Sequence, residues 1–414
     1  MDVIVVGAGL AGLRCAGLLQ RAGLDVTVLE SADRIGGRVA TDVVDGFLVD
    51  RGFQVLNPAY PALAGSVDVP ALRMQPYGAG VLVRTDDGLR TLAHPVRAPK
   101  ELRHTLASGL LGVHDVTGLA RWLTPVRTAP QRSLRAPDRA WGAALDDLHV
   151  TGDLRTVLER FLAGVLVESR GETSARFVRL LLRSFLLGSP GVPRDGMRAL
   201  PAQLAAPLRD VRLDTQVQSV SPDPRQPAVV ADGRRLTARA VVVATDAPAA
   251  RALVDQPPGA TRGLVTWWFA AESPPNDSPM LAVDGRGRGA PPGPVWNTGV
   301  ASNAAPSYAP PGRHLVHATT LLDRPNGEAP EAEVRRHVGE IYGCDTGAWQ
   351  VVARHRVEHA LPATPPGTPV RRSVELGDGL FVCGDHRDTA SIQGALVSGR
   401  RAAVAVRRAL AAHG

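Results

Sequence analysis

Cysteine, aromatic side chains and lysine are all scarce in this chain of 414 residues, and each scarcity narrows what it can do. The three cysteines, Cys15, Cys344 and Cys383, are too few and too widely spaced for a disulfide framework or a zinc cluster, so no metal site is expected. With 7 Phe, 6 Trp and 4 Tyr, no stretch alternates basic and aromatic residues, the pattern that stacks bases. Nucleic acid is therefore not an expected partner, although a net charge of +7 would attract anions. That charge rests on arginine, since Lys100 is the one lysine. No apolar run approaches the ~20 residues that span a bilayer. Met1-Asp2 leads straight into Val3-Ile4-Val5-Val6 with no cationic, apolar leader, so the expected location is the cytoplasm.

What remains is ample for a sizeable core. A chain of this length, 44% hydrophobic and 21% charged, reads as a globular protein of two or three domains. Its clearest organisation lies at the start. Val3 to Val6 precede Gly7-Ala8-Gly9-Leu10-Ala11-Gly12, a helix-compatible stretch runs to Ala22, Gly23 closes it, and Val26-Thr27-Val28-Leu29 forms a second strand ending at Glu30. This is the order of a dinucleotide-binding βαβ unit. Gly7 permits the tight turn, Gly9 lets the backbone approach a pyrophosphate, and Gly12 lets helix pack on strand. The helix N-terminus offers N–H groups and partial positive charge to phosphate. Glu30 is placed to accept hydrogen bonds from ribose hydroxyls, and its charge disfavours a 2′-phosphate.

The residues that follow are more specific. Glu30-Ser31-Ala32-Asp33-Arg34-Ile35-Gly36-Gly37-Arg38, then Gly46-Phe47 and Asp50-Arg51-Gly52-Phe53-Gln54, resemble the flavin amine oxidase, protoporphyrinogen oxidase and phytoene desaturase superfamily. The resemblance implies non-covalent FAD. It puts Gly7 to Gly12, Glu30, Ser31, Gly37 and Arg38 on the dinucleotide, with Arg38 as a forked cation for the pyrophosphate. Gly52, Phe53 and Gln54 would border the flavin ring and Val217 the adenine. Gly384 and Asp385 would meet the ribityl or phosphate region, and the helix that starts at Ile392 and Gln393 would aim its N-terminus at the ring.

The implied fold class is α/β. A Rossmann-type FAD-binding domain is assembled from 1–80, 196–257 and 371–414, and an interleaved α+β substrate domain occupies 81–195 and 258–370. Val211 to Val220 reads as one half-buried strand, Ala240 to Thr245 and Leu380 to Cys383 as buried strands, and Ala332 to Tyr342 as a helix stopped by Gly343. Trp267-Trp268-Phe269 and Val295-Trp296 are candidate strands, with Trp267 and Trp296 as substrate-side candidates. His355-Arg356-Val357-Glu358-His359 matches an inverted zinc-protease pattern, but its β-branched setting predicts a strand. Gly285-Arg286-Gly287-Arg288-Gly289, followed by Pro291-Pro292, predicts a turn. From Arg97 to Arg139 eight basic residues face three acidic ones, and Arg176, Arg179 and Arg183 stripe an apolar helix, a surface that could meet anionic lipid.

For chemistry, the resemblance offers two branches. Amine oxidases of the group carry a tyrosine of an aromatic cage before the C-terminal Gly-Ala, a lysine near the flavin and in some cases a tethering cysteine. Here the cage position falls on Ser391, Lys100 lies in an insertion, and no cysteine is near 391. The expectation is an FAD-dependent oxidoreductase, a dehydrogenase, desaturase or isomerase, taking hydride from a C–H bond of a lipophilic substrate to flavin N5, with His386 as candidate base. The alternatives are an amine or amino-acid oxidase with a non-standard cage, and a flavin-bearing protein that binds lipid or a partner without turnover. Oligomeric state and electron acceptor stay open.

Overall fold

The computed structural model of the chain describes residues 1–128, 137–257, 259–289 and 291–412. Two sheets organise it. The first has six strands in the order Glu375–Gly377, Leu380–Val382, Ala240–Val243, Val3–Val6, Val26–Leu29 and Val211–Arg212. All its pairs are parallel except the Glu375–Gly377 edge. Val3 to Val6 are buried on both faces, as the centre of a parallel sheet requires. Alternation divides them. Val3 and Val5 pack with the helices Leu10–Arg21 and Ile392–Ala412, while Ile4 and Val6 pack against Val229 and Ala231 of a three-stranded antiparallel sheet. The first and last helices cross almost backbone to backbone: a β-carbon on Gly399 would stand 2.2 Å from the carbonyl oxygen of Ala11.

The second sheet has seven strands, Gln350–Pro362, Thr261–Ala271, His314–Leu321, Val295–Val300, Leu281–Asp284, Gly80–Thr85 and Gly88–Ala93 in that order. Trp267 and Phe269 face Val334, Val338 and Ile341 of the helix Glu331–Tyr342, which Gly343 ends at φ +71. Trp268 points the other way, into the core shared with the first sheet, and its Nε1 donates to the Asp50 carbonyl at 3.1 Å. The helices Val113–Thr128, Trp141–Asp147, Asp153–Leu166 and Ala175–Leu187 form a separate apolar layer.

Two sequence expectations are corrected. Val211 to Val220 is not one strand: Val211–Arg212 ends in the six-stranded sheet and Val217–Ser221 belongs to the three-stranded one. The chain turns at Asp214, at φ +48, a left-handed conformation that aspartate tolerates, and the turn is held by Asp214 N–H to Ala32 O and Thr215 N–H to Glu30 O. The Arg176, Arg179 and Arg183 stripe is half-buried rather than outward. Arg176 pairs with Asp138 at 3.7 Å, and the Arg179 guanidinium sits 5.9 Å from the Trp122 ring centroid. Of the basic stretch from Arg97 to Arg139, residues 129–136 lie outside the described residues.

His355 and His359 sit on the strand Gln350–Pro362 with separate partners, Asp42 and Asp50 for the first and Thr261 for the second. Among the described residues no cluster of His, Cys, Asp and Glu could hold a metal ion, and no helix is long and apolar enough to cross a membrane.

Candidate cofactor and substrate site

One continuous cavity of about 1140 Å³ opens where the strands Val3–Val6, Val26–Leu29, Ala240–Val243 and Leu380–Val382 end. The carboxyl ends of parallel strands are where open α/β sheets bind ligands. The volume exceeds the ~300–1,000 Å³ of ordinary ligand pockets, so it has room for more than one molecule.

At the sheet end, Gly7, Gly9, Leu10 and Ala11 line it, as do Glu30 and Ser31. Gly7 stands at φ +106, and a β-carbon on Gly9 would meet no atom within 4 Å. Gly12 does not line the cavity. Its β-carbon would lie 2.0 Å from the Gly7 carbonyl oxygen and 3.1 Å from Ala244 Cβ, so it sets the contact between helix and strand. Ala8 is also withdrawn, its amide donating to Glu30 Oε2 at 2.6 Å, while Ala32 N–H donates to Oε1 at 3.0 Å. Glu30 is thus fixed by backbone donors, with the cavity beside it.

Gly36 and Gly37, at φ +106 and +58, cross the glycine turn, with a bridge between Gly9 and Gly36. Arg38 follows. Its guanidinium donates to Asp385 Oδ1 at 2.7 Å and to the Ala360 carbonyl at 2.8 Å, and burial, which disfavours the cation, is outweighed by Asp385, so its pKa is raised. Gly52, Phe53 and Gln54 line the next stretch; Gln54 Nε2 donates to the carbonyls of Arg38 and Arg51, and its buried Oε1 has no partner. Val217, Gly384, Asp385, Ser391 and Ile392 complete this end. Ser391 caps the last helix, its Oγ accepting from Gly394 N–H at 3.1 Å. Gln393 is turned away, its Oε1 accepting from Ala62 N–H at 2.9 Å.

Behind this wall Asp50 is fully enclosed. Burial lifts its carboxyl to about 6 against hydrogen bonds from Thr41 Oγ at 2.5 Å, the Met197 amide at 3.1 Å and the Tyr308 hydroxyl at 2.8 Å.

From Gly52, Phe53 and Gln54 outward the walls become apolar: Leu119, Leu123, Leu158, Phe161, Leu182 and Phe185 from the helical layer, with Leu264 and Val357 from the seven-stranded sheet. The acids that line the cavity, Glu30, Asp246 and Asp385, all lie at the sheet end. Trp267 and Trp296 do not reach it. Trp267 packs on the far side of the seven-stranded sheet under Arg354, and Trp296 packs in a small cluster with Arg160 5.5 Å from its ring centroid. His386 is also off the cavity. It lines a separate recess of about 40 Å³ with Gln256 and Arg372, neither ring nitrogen has a partner, and burial holds its pKa down to about 4.

Thr215, Gln216 and Asp246 line the cavity without having been singled out in the sequence. Asp246 had a legible signal: it follows a buried strand and precedes Ala247-Pro248, and it caps that helix through Ala249 N–H at 2.9 Å.

The profile of the family described as flavin containing amine oxidoreductase matches residues 10–407. The chain belongs to that family. As a flavin amine oxidoreductase it is an enzyme and its cofactor is FAD. A hydroxysqualene dehydroxylase of Rhodopseudomonas palustris is 28% identical over 97% of both chains. Putrescine oxidase of Kocuria rosea is 48% identical over 67 residues, a match that spans 16% of this chain and 14% of that enzyme. The fold is that of a protein described as a protoporphyrinogen oxidase from Exiguobacterium sp. 255-15 (TM-score 0.74, 19% identity, 98% of both chains) and of a putrescine oxidase bound to putrescine (TM-score 0.69, 19% identity, 98% of this chain and 99% of that one).

The residues present fit the cofactor. Gly9 leaves space where a phosphate must approach, helix N–H groups point to it, Arg38 supplies a cation, and Gln54 Oε1 is an unpaired acceptor in the wall.

Proposed function

We propose that this flavin amine oxidoreductase removes hydride from a C–H bond of a lipophilic substrate seated in the apolar arm of the cavity. The observation that carries this is the composition of that arm: aliphatic and aromatic walls with every cavity-lining carboxylate at the opposite end. A cationic amine drawn from water would leave its charge unpaired there, a loss of several kcal/mol. The same walls desolvate a hydrocarbon at a gain of ~25 cal/mol per Å². The full-length similarity to a hydroxysqualene dehydroxylase supports a lipophilic occupant of that arm.

Bound FAD supplies the hydride acceptor. The glycine turn and the first helix would hold the pyrophosphate, with Arg38, paired to Asp385, as its cation. Glu30, fixed by two amides, would hold the ribose. The N-terminus of the helix Ile392–Ala412, capped by Ser391, favours negative charge at the cavity wall where Ile392 sits. The apolar arm excludes water from the reacting C–H bond. His94, at its outer part, has its pKa lowered by burial and by the charge of Arg97. No cysteine lines the cavity, consistent with non-covalent FAD.

The reading is tested anaerobically by adding isoprenoid hydrocarbons, porphyrinogens or simple amines to the yellow holoenzyme and following its visible absorbance. Bleaching by a lipophile and not by putrescine or cyclohexylamine supports it. Bleaching by the amines alone refutes it.

A further inference from the structure

Seven of the twelve exposed large apolar side chains on the described surface fall in two stretches: Val96, Leu102, Leu106, Val113 and Val116, and Leu186 with Leu187. Arg97 joins the stretches. Its guanidinium donates to the carbonyls of Phe185, Leu186 and Gly188 at 2.9, 2.6 and 2.6 Å, closing the end of the helix Ala175–Leu187 against the loop that carries Val96. Leu102 and Leu106 are one turn apart on the outward side of the helix Leu102–Ala107, whose inward Thr105 accepts from the Ala93 amide at 2.9 Å. Leu186, 37% exposed, and Arg97 also line the cavity, so this surface is the rim of the apolar arm.

The charge of the rim is predominantly positive. Lys100 and Arg103 are exposed beside Leu102, whereas the acids between 94 and 116 are Glu101, bonded to His104 at 3.0 Å, and Asp115, which is buried. Apolar side chains ringed by cations, around the mouth of an apolar chamber, are complementary to an anionic lipid surface and to little that is dissolved in water.

We propose that this rim docks the enzyme on an anionic bilayer, so that substrate moves between membrane and cavity without crossing water. Val96, Leu106 and Leu187 enter the acyl boundary while Lys100 and Arg103 remain at the headgroups. The proposal rests on the lipophilic-substrate reading above, and vesicle binding can be measured without turnover.

The test sediments the holoenzyme with phosphatidylcholine vesicles, with and without phosphatidylglycerol. Binding to the mixed vesicles is expected to be at least tenfold tighter than to phosphatidylcholine alone and to weaken with salt. Val96→Asp/Leu106→Asp/Leu187→Asp lowers it at least tenfold, Lys100→Glu/Arg103→Glu lowers it severalfold, and Val43→Asp/Val404→Asp, on exposed apolar sites elsewhere, leaves it unchanged. The triple variant stays yellow and is bleached by detergent-solubilised substrate as the parent is. Failure of the parent to bind mixed vesicles overturns the proposal, as does binding by both rim variants as tight as the parent's. Self-association that the triple variant abolishes, without vesicle binding, also overturns it and gives the rim to a second copy. If no lipophile bleaches the flavin while vesicle binding follows this pattern, the substrate reading fails and the docking surface stands.

Discussion

Gly9 and Gly12 lie three residues apart on one turn, yet the structure assigns their substitution by alanine opposite outcomes. Gly9 has φ −72 and ψ 174, extended backbone open to any residue, and its β-carbon would meet nothing within 4 Å. Gly9→Ala should therefore leave the apoprotein as stable as the parent or ~0.4–1 kcal/mol more so, through a less flexible unfolded chain. Its methyl group then occupies the space left for the pyrophosphate, and FAD affinity is expected to fall at least tenfold, or ~1.4 kcal/mol. Gly12→Ala presses a methyl group to 2.0 Å from the Gly7 carbonyl oxygen, a backbone atom with no rotamer to yield. Overpacking of this kind costs ~1–3 kcal/mol, and the rigid neighbour puts the expected loss at the upper end. Thermal unfolding of each apoprotein and titration of each with FAD, followed by flavin fluorescence, measure both quantities. Unchanged FAD affinity in Gly9→Ala, or undiminished stability in Gly12→Ala, would refute the assignment of the two glycines.

Three further outcomes are expected. The native carboxyl of Asp50 at about 6 lies about two units above the ordinary ~3.9. Folding is therefore unpenalised below pH 4 and loses ~3 kcal/mol as pH rises through 6; Asp50→Asn should gain that much on the parent between pH 4 and 7 by denaturant unfolding, and a pH-independent difference would sink the account. Arg38→Gln strands Asp385, whose side chain is 5% exposed, and should destabilise the apoprotein by about 2 kcal/mol, below the ~3–5 kcal/mol of a fully buried pair because a third of Arg38 is exposed; Asp385→Asn in the same chain should restore part of it. His386→Ala should change the rate of substrate bleaching by less than about twofold, whereas the 10²-fold or greater loss typical of a missing general base would place the histidine back in the reaction.

The glycine turn and the acid at the end of the second strand were legible because their requirements are local. A tight turn, a close approach and an acid at a strand end each impose a residue type at a fixed offset, and Gly7, Gly9, Gly12 and Glu30 stand where those offsets put them. The helix Glu331–Tyr342 was legible for the same reason, through its apolar spacing and Gly343. The substrate side was not. Trp267 and Trp296 belong to strands, but which face of a strand meets the cavity depends on partners far away in sequence, and here both indoles turned from it. The break at Asp214 escaped because the pattern on either side of it alternates without interruption. His386 looked well placed by adjacency to Asp385, yet one residue along a tight 3-10 turn is enough to send a side chain into a different recess.

The close crossing of Gly399 and Ala11 has a bearing on how such a chain is made. About 390 positions of chain separate the helix of the glycine turn from the segment that lies against its backbone. During synthesis the apolar side of that helix therefore waits for a partner made that much later. Lesions that remove the segment around Gly399 should on this ground be as damaging to flavin retention as lesions in the glycine turn itself.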